Sequence, residues 1–157
     1  MAEADRCNCG GISEVGLFAC AGGANVGLMS VKAAALVSER LGRGKAALLC
    51  LPGISAEIPG IVEGTKTCRL IIAIDGCGTQ CAAKTLRKAG FDPVEIVLNR
   101  DCEIAKNHDL SDEAGLEDAT EYLFKTIEDL EVGSGSSRGS DRRSAMSRVQ
   151  ADCSACG

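Results

Sequence analysis

Four apolar runs of strand length, separated by helical patterns, constrain the fold of this chain more than any other feature. The first three lie near residues 15–20, 46–51 and 69–75, and the fourth covers Val94–Leu98 after Pro93. Each run is short and continuous, as strands buried on both faces of a parallel sheet are. The alternation predicts an α/β fold, a three-layer Rossmann-like or flavodoxin-like parallel sheet of about four strands with helices on both faces.

Capping signals predict where the intervening helices begin and end. Glycine after a helix adopts the left-handed conformation that stops it, and serine or threonine can cap its first N–H groups. Proline is tolerated in a first turn, where N–H groups lack helical partners. The first expected helix ends at Leu41 before Gly42, the second runs from Ser55 through Pro59 to about Lys66, and the third runs from Thr79 to near Gly90. The last expected helix covers 112–131 and has an apolar stripe of Leu116, Ala119, Leu123, Ile127 and Leu130.

Composition divides the chain into four segments. Residues 1–13 form an N-terminal segment with a CxC motif, Cys7 and Cys9, and residues 14–132 form the α/β domain. Residues 133–141 are rich in Gly and Ser, which is typical of a flexible linker. Residues 142–157 form a tail with a CxxC motif, Cys153 and Cys156.

Charge and hydropathy exclude several classes of partner. The net charge is -5 and no basic patch with interleaved aromatic residues occurs, so nucleic acid is not an expected partner. No apolar run approaches the roughly 20 residues of a membrane span, and the polar start resembles no signal peptide. We therefore expect a cytoplasmic protein, in which ten cysteines favour metal binding or catalytic thiols over disulfides.

Four cysteines are expected to meet at one edge of the sheet. Cys20, Cys50 and Cys77 each follow a predicted strand, and Cys81 lies one helical turn beyond Cys77. Parallel strands joined by right-handed crossovers point their carboxyl ends at one edge, where ligands bind. Four thiols there indicate a zinc ion, an iron–sulfur cluster or sulfur chemistry, and the helix N-termini at that edge favour thiolates.

The remaining candidate groups receive more ordinary interpretations. Cys68 precedes its strand and is expected at the opposite edge as a core residue, whereas Cys102 follows the fourth strand as a loop residue or a fifth nearby thiol. His108 is expected to be a solvated surface residue. Asp75 is expected to orient backbone N–H groups around the site rather than to bind a metal ion.

The glycine-rich segment 22–27 does not predict a nucleotide site. Leu28 stands where a phosphate-binding loop of the Walker type needs Lys, and no GxGxxG motif is present. We expect no organic cofactor and interpret these glycines as residues that let the loop clear Cys20.

Several motifs together resemble those of the DGC-domain family, for which zinc binding is proposed and which takes its name from an Asp-Gly-Cys motif. The resemblance covers about residues 14–107 and implies a four-cysteine metal site at Cys20, Cys50, Cys77 and Cys81, but no reaction. The segments that carry it are Phe18–Gly27, Cys50–Ile54, Ile58–Ile61, Ile74–Cys77 and Cys81–Ala82.

The leading interpretation is a zinc-binding protein whose metal is structural or regulatory, because four thiolates saturate tetrahedral zinc. The alternative is a redox or persulfide-carrying protein that uses the core thiols with the CxxC motif, and a third is an iron–sulfur protein. Together, Cys7, Cys9, Cys153 and Cys156 have the composition of a second four-thiolate site. A metal ion is the expected partner, while no protein partner, oligomeric state, substrate or reaction follows from the sequence.

Overall fold

The computed structural model describes residues 13–134, and the CxC and CxxC motifs lie outside this range. No helix in the described range is both long and apolar enough to cross a bilayer. The elements in chain order are β1 Val15–Ala19, α1 Asn25–Leu41, β2 Ala46–Leu48, α2 Leu51–Ser55, α3 Pro59–Lys66, β3 Leu70–Asp75, α4 Cys81–Lys88, β4 Val94–Val97, α5 Leu98–Asp101 and α6 Leu116–Ser134.

The strands form one parallel sheet in the order β2-β1-β3-β4. Val15 is in register with Ala46 of β2 and with Leu70 of β3, and Ile72 is in register with Val94 of β4. This is the strand order of doubly wound, flavodoxin-like sheets. The predicted fold class is confirmed.

Helices cover both faces of the sheet. Leu17 and Ala19 of β1 pack in an apolar cluster with residues of α1 and α6, whereas Phe18 packs in a second cluster with residues of α2, α3 and α4. Successive strand residues point to opposite faces, so one strand serves both clusters. We call these the α1/α6 face and the α2–α4 face.

Two helices begin elsewhere than the capping signals predicted. Ser55 is the last residue of α2 and does not cap a longer helix. Glu57 has a φ of 55°, which a right-handed helix cannot accommodate, so the predicted helix is broken before Pro59. The next helix, α3, begins at Pro59 with Ile58 at its N-cap position. Proline at the first position loses no helical hydrogen bond, so it starts this helix rather than lying within one.

The last helix starts later than expected. Asp109 and Asp112 accept hydrogen bonds from the backbone N–H groups two residues ahead, of Ser111 and Ala114, and form local turns. Gly115 then has a φ of 89°, which a helix cannot continue through. The predicted apolar stripe of α6 is confirmed, with Ala119, Leu123 and Ile127 fully buried.

Candidate metal centre

The carboxyl ends of β1 and β3 form the crevice where ligands bind in sheets of this topology. The second strand, β2, lies on one side of β1, and β3 and β4 lie on the other side. The direction in which strands are added to the sheet therefore reverses between β1 and β3. Cys20 directly follows β1, and Cys77 and Cys81 follow β3. The sequence therefore places three thiols at this crevice.

The Cys20 thiol lies against the loop that follows β3. The backbone N–H of Gly76 and the thiol of Cys81 both lie close enough to this thiol to influence its pKa. Burial, followed by the negative charge of Asp75 and the Cys81 thiol, raises the pKa of the Cys20 thiol to about 11. Without a cation beside it, Cys20 is a neutral thiol at neutral pH.

Asp75 caps α4 from the end of β3. Its carboxylate is 1% exposed and accepts hydrogen bonds from the N–H groups of Ala82 at 2.8 Å and Ala83 at 3.0 Å. This agrees with the expected role of Asp75 as an orienting residue. The cap expected from Thr79 is wrong, because α4 begins at Cys81 after Gln80, which has a left-handed backbone and makes no side-chain cap.

Cys77 has different neighbours from Cys20. Its Sγ lies 3.5 Å from the hydroxyl of Thr79 and 3.6 Å from Nζ of Lys106. The hydrogen bonds from Thr79, followed by the charge and hydrogen bond of Lys106, lower the pKa of the Cys77 thiol, because they stabilise its thiolate. Cys77 is therefore the more readily ionised of these two thiols.

The two thiols also lie towards different faces of the sheet. Cys77 packs against the apolar cluster of the α1/α6 face, and Cys20 packs against that of the α2–α4 face. Cys50 is an exposed residue at the N-cap position of α2 and makes no side-chain cap. Within residues 13–134, no three Cys, His, Asp or Glu side chains are arranged so that they hold a metal ion together.

Lys106 is a site residue that the sequence interpretation did not single out. It is exposed, but both of its chain neighbours are bound by Asn25, which is 1% exposed at the start of α1. Asn25 Nδ2 donates to the carbonyl of Ala105 at 2.9 Å, and Asn25 Oδ1 accepts from the N–H of Asn107 at 2.8 Å. The signal was available in Asn25, a polar residue in an otherwise apolar helix start, but its partner lies about 80 positions away.

Close backbone contacts hold the two loops of the crevice together. A Cβ on Gly76 would lie 2.6 Å from the carbonyl carbon of Val26, and one on Gly27 would lie 2.8 Å from the backbone of Gly22. Neither position tolerates a side chain without a shift of backbone. The glycines thus pack the loop after β1, helix α1 and the loop after β3 tightly around Cys20.

The other expected placements can now be compared with the structure. Cys68 lies before β3 and is half-buried, as expected for a core residue at the opposite edge of the sheet. Its sulfur packs against β1, since a Cβ on Gly16 would lie 3.1 Å from it. Cys102 directly follows α5 and packs against the α1/α6 face. His108 is exposed, as expected.

The four cysteines have the donor chemistry that zinc prefers, but within residues 13–134 they are not assembled into a metal site. Thiolates are preferred zinc ligands, and Cys20 and Cys81 lie near each other and near the N–H of Gly76. A tetrahedral site would require Cys50 and Cys77 to turn their side chains towards these two thiols. Iron–sulfur clusters use the same four-thiolate set.

Comparison with known proteins gives one match. The model of the DGC domain family matches residues 16–125, which is more than half of the chain and includes all four cysteines of the candidate centre. No curated protein and no solved structure matches the chain significantly.

Proposed function

This chain belongs to the DGC domain family, and from that premise we propose that it binds a zinc ion through the thiolates of Cys20, Cys50, Cys77 and Cys81. The observation that carries the proposal is that Cys20 and Cys81 lie near each other in the crevice between β1 and β3, where the Cys81 thiol helps to raise the pKa of Cys20. The half-buried Cys20 thiol, whose pKa is raised, is an unfavourable place for a thiolate unless a cation is bound. A zinc ion supplies that cation and displaces the thiol protons.

The surroundings of the pair support a metal–thiolate centre. The Gly76 N–H lies near the Cys20 sulfur and acts to lower its pKa, and α4 begins at Cys81, so the positive N-terminal end of this helix lies near both thiols. Both features offset the negative charge that several thiolates add to one ion. Asp75 fixes the start of α4 and hence the position of Cys81.

We propose a structural or regulatory role for the metal. Four protein thiolates leave no position on a tetrahedral zinc ion for water or substrate. The six cysteines between residues 13 and 134 form no disulfide with one another. A reducing compartment such as the cytoplasm would keep them available for metal.

The proposal is tested by metal analysis of full-length protein purified without oxygen, together with its absorption spectrum. We expect zinc and no visible absorption. Brown protein containing iron and sulfide would favour an iron–sulfur protein, and protein that neither contains nor takes up zinc would contradict the proposal.

A second candidate function is thiol exchange at Cys77, and the contacts of Cys77 with Lys106 and Thr79 favour it. In this reaction the Cys77 thiolate attacks a disulfide between Cys153 and Cys156, forms a bond to one sulfur and releases the other as a thiolate. Rapid acid quenching of partly oxidised protein, followed by peptide mapping, should then recover Cys77 joined to the tail. Recovery of no such cross-link would leave the zinc proposal as the better account.

A further inference from the structure

We propose that Cys20 and Cys81 are a redox pair, which the disulfide of a small thiol converts to a Cys20–Cys81 disulfide. The new bond joins the end of β1 to the start of α4. The inference rests on where the backbone places these two residues, and it does not depend on zinc binding. It also concerns a different thiol from the exchange reaction considered for Cys77.

The first observation is that two adjacent residues of β3 hold both cysteines. The N–H of Cys20 donates to the carbonyl of Ile74 at 2.9 Å. The carboxylate of Asp75 accepts the N–H of Ala82 at 2.8 Å, and Ala82 directly follows Cys81. Cys20 and Cys81 are therefore tied to neighbouring positions at one strand end, although they lie about 60 positions apart in the chain.

The second observation is that both residues lie on the α2–α4 face. Side chains alternate along a strand, so Cys20 points to the same face as Phe18, and it packs against the apolar cluster there. Helix α4 begins at Cys81, and the next residues, Ala82 and Ala83, are fully buried in the same cluster. The two thiols are near enough to each other for Cys81 to influence the pKa of Cys20. No strand therefore separates the two side chains.

The other described cysteines are placed less favourably for a bond to Cys20. Cys68 lies at the opposite edge of the sheet, and Cys77 and Cys102 pack against the α1/α6 face. Cys50 follows β2, which lies on the other side of β1 from β3. Because Cys50 still shares the edge with Cys20, it is the competing partner that the test has to separate.

The oxidation proceeds by two thiol–disulfide exchanges. Cys81 is exposed and Cys20 is half-buried, so the small disulfide meets Cys81 first. The Cys81 thiolate attacks one sulfur of oxidised glutathione, forms a mixed disulfide and releases one glutathione thiolate. The Cys20 thiolate then attacks the Cys81 sulfur and releases the second glutathione thiolate. The two protein thiols lose two protons and two electrons, and one oxidised glutathione becomes two reduced glutathione molecules.

The bond has two consequences for the domain. It closes a loop of about 60 residues, and closing a long loop stabilises the folded state by restricting the unfolded chain. It also leaves only two of the four cysteines of the candidate centre with free thiols. Oxidation of this pair therefore makes the domain more stable and removes its four-thiolate donor set.

The test uses full-length protein, reduced, treated with a chelator and then equilibrated in native buffer with mixtures of oxidised and reduced glutathione. Samples are quenched with acid, alkylated with N-ethylmaleimide and digested with trypsin and a protease that cleaves after Glu. Mass spectrometry then identifies the disulfide-linked peptides. These cleavages isolate Cys20 in peptide 15–32, whereas Cys77 and Cys81 share peptide 70–84.

Three matched variants, Cys50→Ser, Cys77→Ser and Cys81→Ser, identify the partner of Cys20. The linkage between the two peptides should persist in the first two variants and disappear in Cys81→Ser. Oxidation should raise the melting temperature of Cys77→Ser by about 5 °C or more and leave that of Cys81→Ser unchanged, because only the former can close the loop.

In wild-type protein the expected linkage should be at least about ten-fold more abundant than a linkage of Cys20 to Cys68, because a disulfide needs Cα atoms within about 7 Å of each other. In concentrated urea the preference of Cys20 for Cys81 should be lost, since it depends on the folded backbone.

Two results would overturn the inference. One is a linkage of Cys20 that survives in Cys81→Ser, which would assign its partner as Cys50 or Cys77. The other is a Cys20 thiol that is still alkylated at glutathione ratios that have already oxidised Cys68. Neither result bears on zinc uptake, which metal analysis measures separately.

Discussion

The four cysteines of the candidate centre share an edge of the sheet but differ in their surroundings. Cys20 is half-buried under a backbone N–H and beside a second thiol, while Cys77 contacts a cation and a hydroxyl. The first environment suits a group that gains charge only with a metal, and the second stabilises a thiolate by itself. The residues are therefore expected to respond differently to substitution and to pH.

Replacing Cys20 by Ser should release most of the zinc and lower the melting temperature by about 5 °C or more, because metal binding contributes to folding stability. Cys68→Ser is the control, since Cys68 is a half-buried thiol at the opposite edge and should retain all the zinc. Metal analysis and calorimetry measure the two effects. Equal zinc loss in both variants would show that the centre lies elsewhere.

In protein stripped of metal by a chelator, Cys77 should react with iodoacetamide at lower pH than Cys20. The thiolate is the reactive form, the pKa of Cys77 is lowered, and that of Cys20 is raised to about 11. Alkylation rates between pH 6 and 10, resolved by peptide, should place the midpoint of Cys77 below that of a free thiol. Coincident midpoints for the two residues would contradict the assigned contacts.

Residue placement was predictable where it follows from strand order and was not predictable where it depends on side-chain direction. The positions of Cys20, Cys50, Cys77 and Cys81 after their strands indicate the shared edge. The face on which Cys77 lies depends on Gly76 packing against α1 and on Lys106, which is 29 positions further along the chain. Such long-range contacts leave no periodic signal in the sequence.

At the scale of elements, the start of α4 depends on the end of β3. The Asp75 carboxylate accepts the N–H groups of Ala82 and Ala83, so one buried side chain joins strand, helix and site. The sequence pointed to Thr79 because capping residues usually lie next to the helix they cap. Asp75 lies too far back along the chain to be recognised as a cap, although its role as an orienting residue was predictable.

Replacing Asp75 by Ala should lower the free energy of unfolding by about 1–3 kcal/mol, because two buried N–H groups lose their acceptor. Asp75→Asn, which retains one acceptor oxygen, should cost less, and Asp118→Asn on the exposed first turn of α6 should cost little. Urea denaturation measures all three. A loss for Asp118→Asn as large as that for Asp75→Ala would argue against a special role for the Asp75 cap.

At the scale of the whole molecule, the α/β domain contains the complete candidate centre. The strand–helix alternation was enough to predict the parallel sheet and the two helical faces, because burial of parallel strands dictates these patterns. The family was predicted separately, from the resemblance of motifs such as Ile74–Cys77. Helix limits such as the break at Glu57 were not predictable, since a positive φ at a non-glycine residue is set by tertiary packing.

Deleting residues 135–157 should leave the melting temperature and the zinc in the α/β domain unchanged, because the four cysteines and both apolar clusters lie before residue 135. If the CxC and CxxC motifs hold a second zinc ion, the full chain should contain about two zinc ions and the deletion variant about one. Loss of all zinc from the deletion variant would show that the tail contributes to the main centre.

The most direct measurement is X-ray absorption at the zinc edge, on full-length protein in which Cys7, Cys9, Cys153 and Cys156 are replaced by Ser. This variant leaves the cysteines between residues 13 and 134 as the only source of thiolate ligands. The account predicts about one zinc ion per chain with a shell of sulfur atoms at about 2.3 Å. A variant that binds no zinc, or whose zinc is surrounded mainly by oxygen and nitrogen, would contradict it.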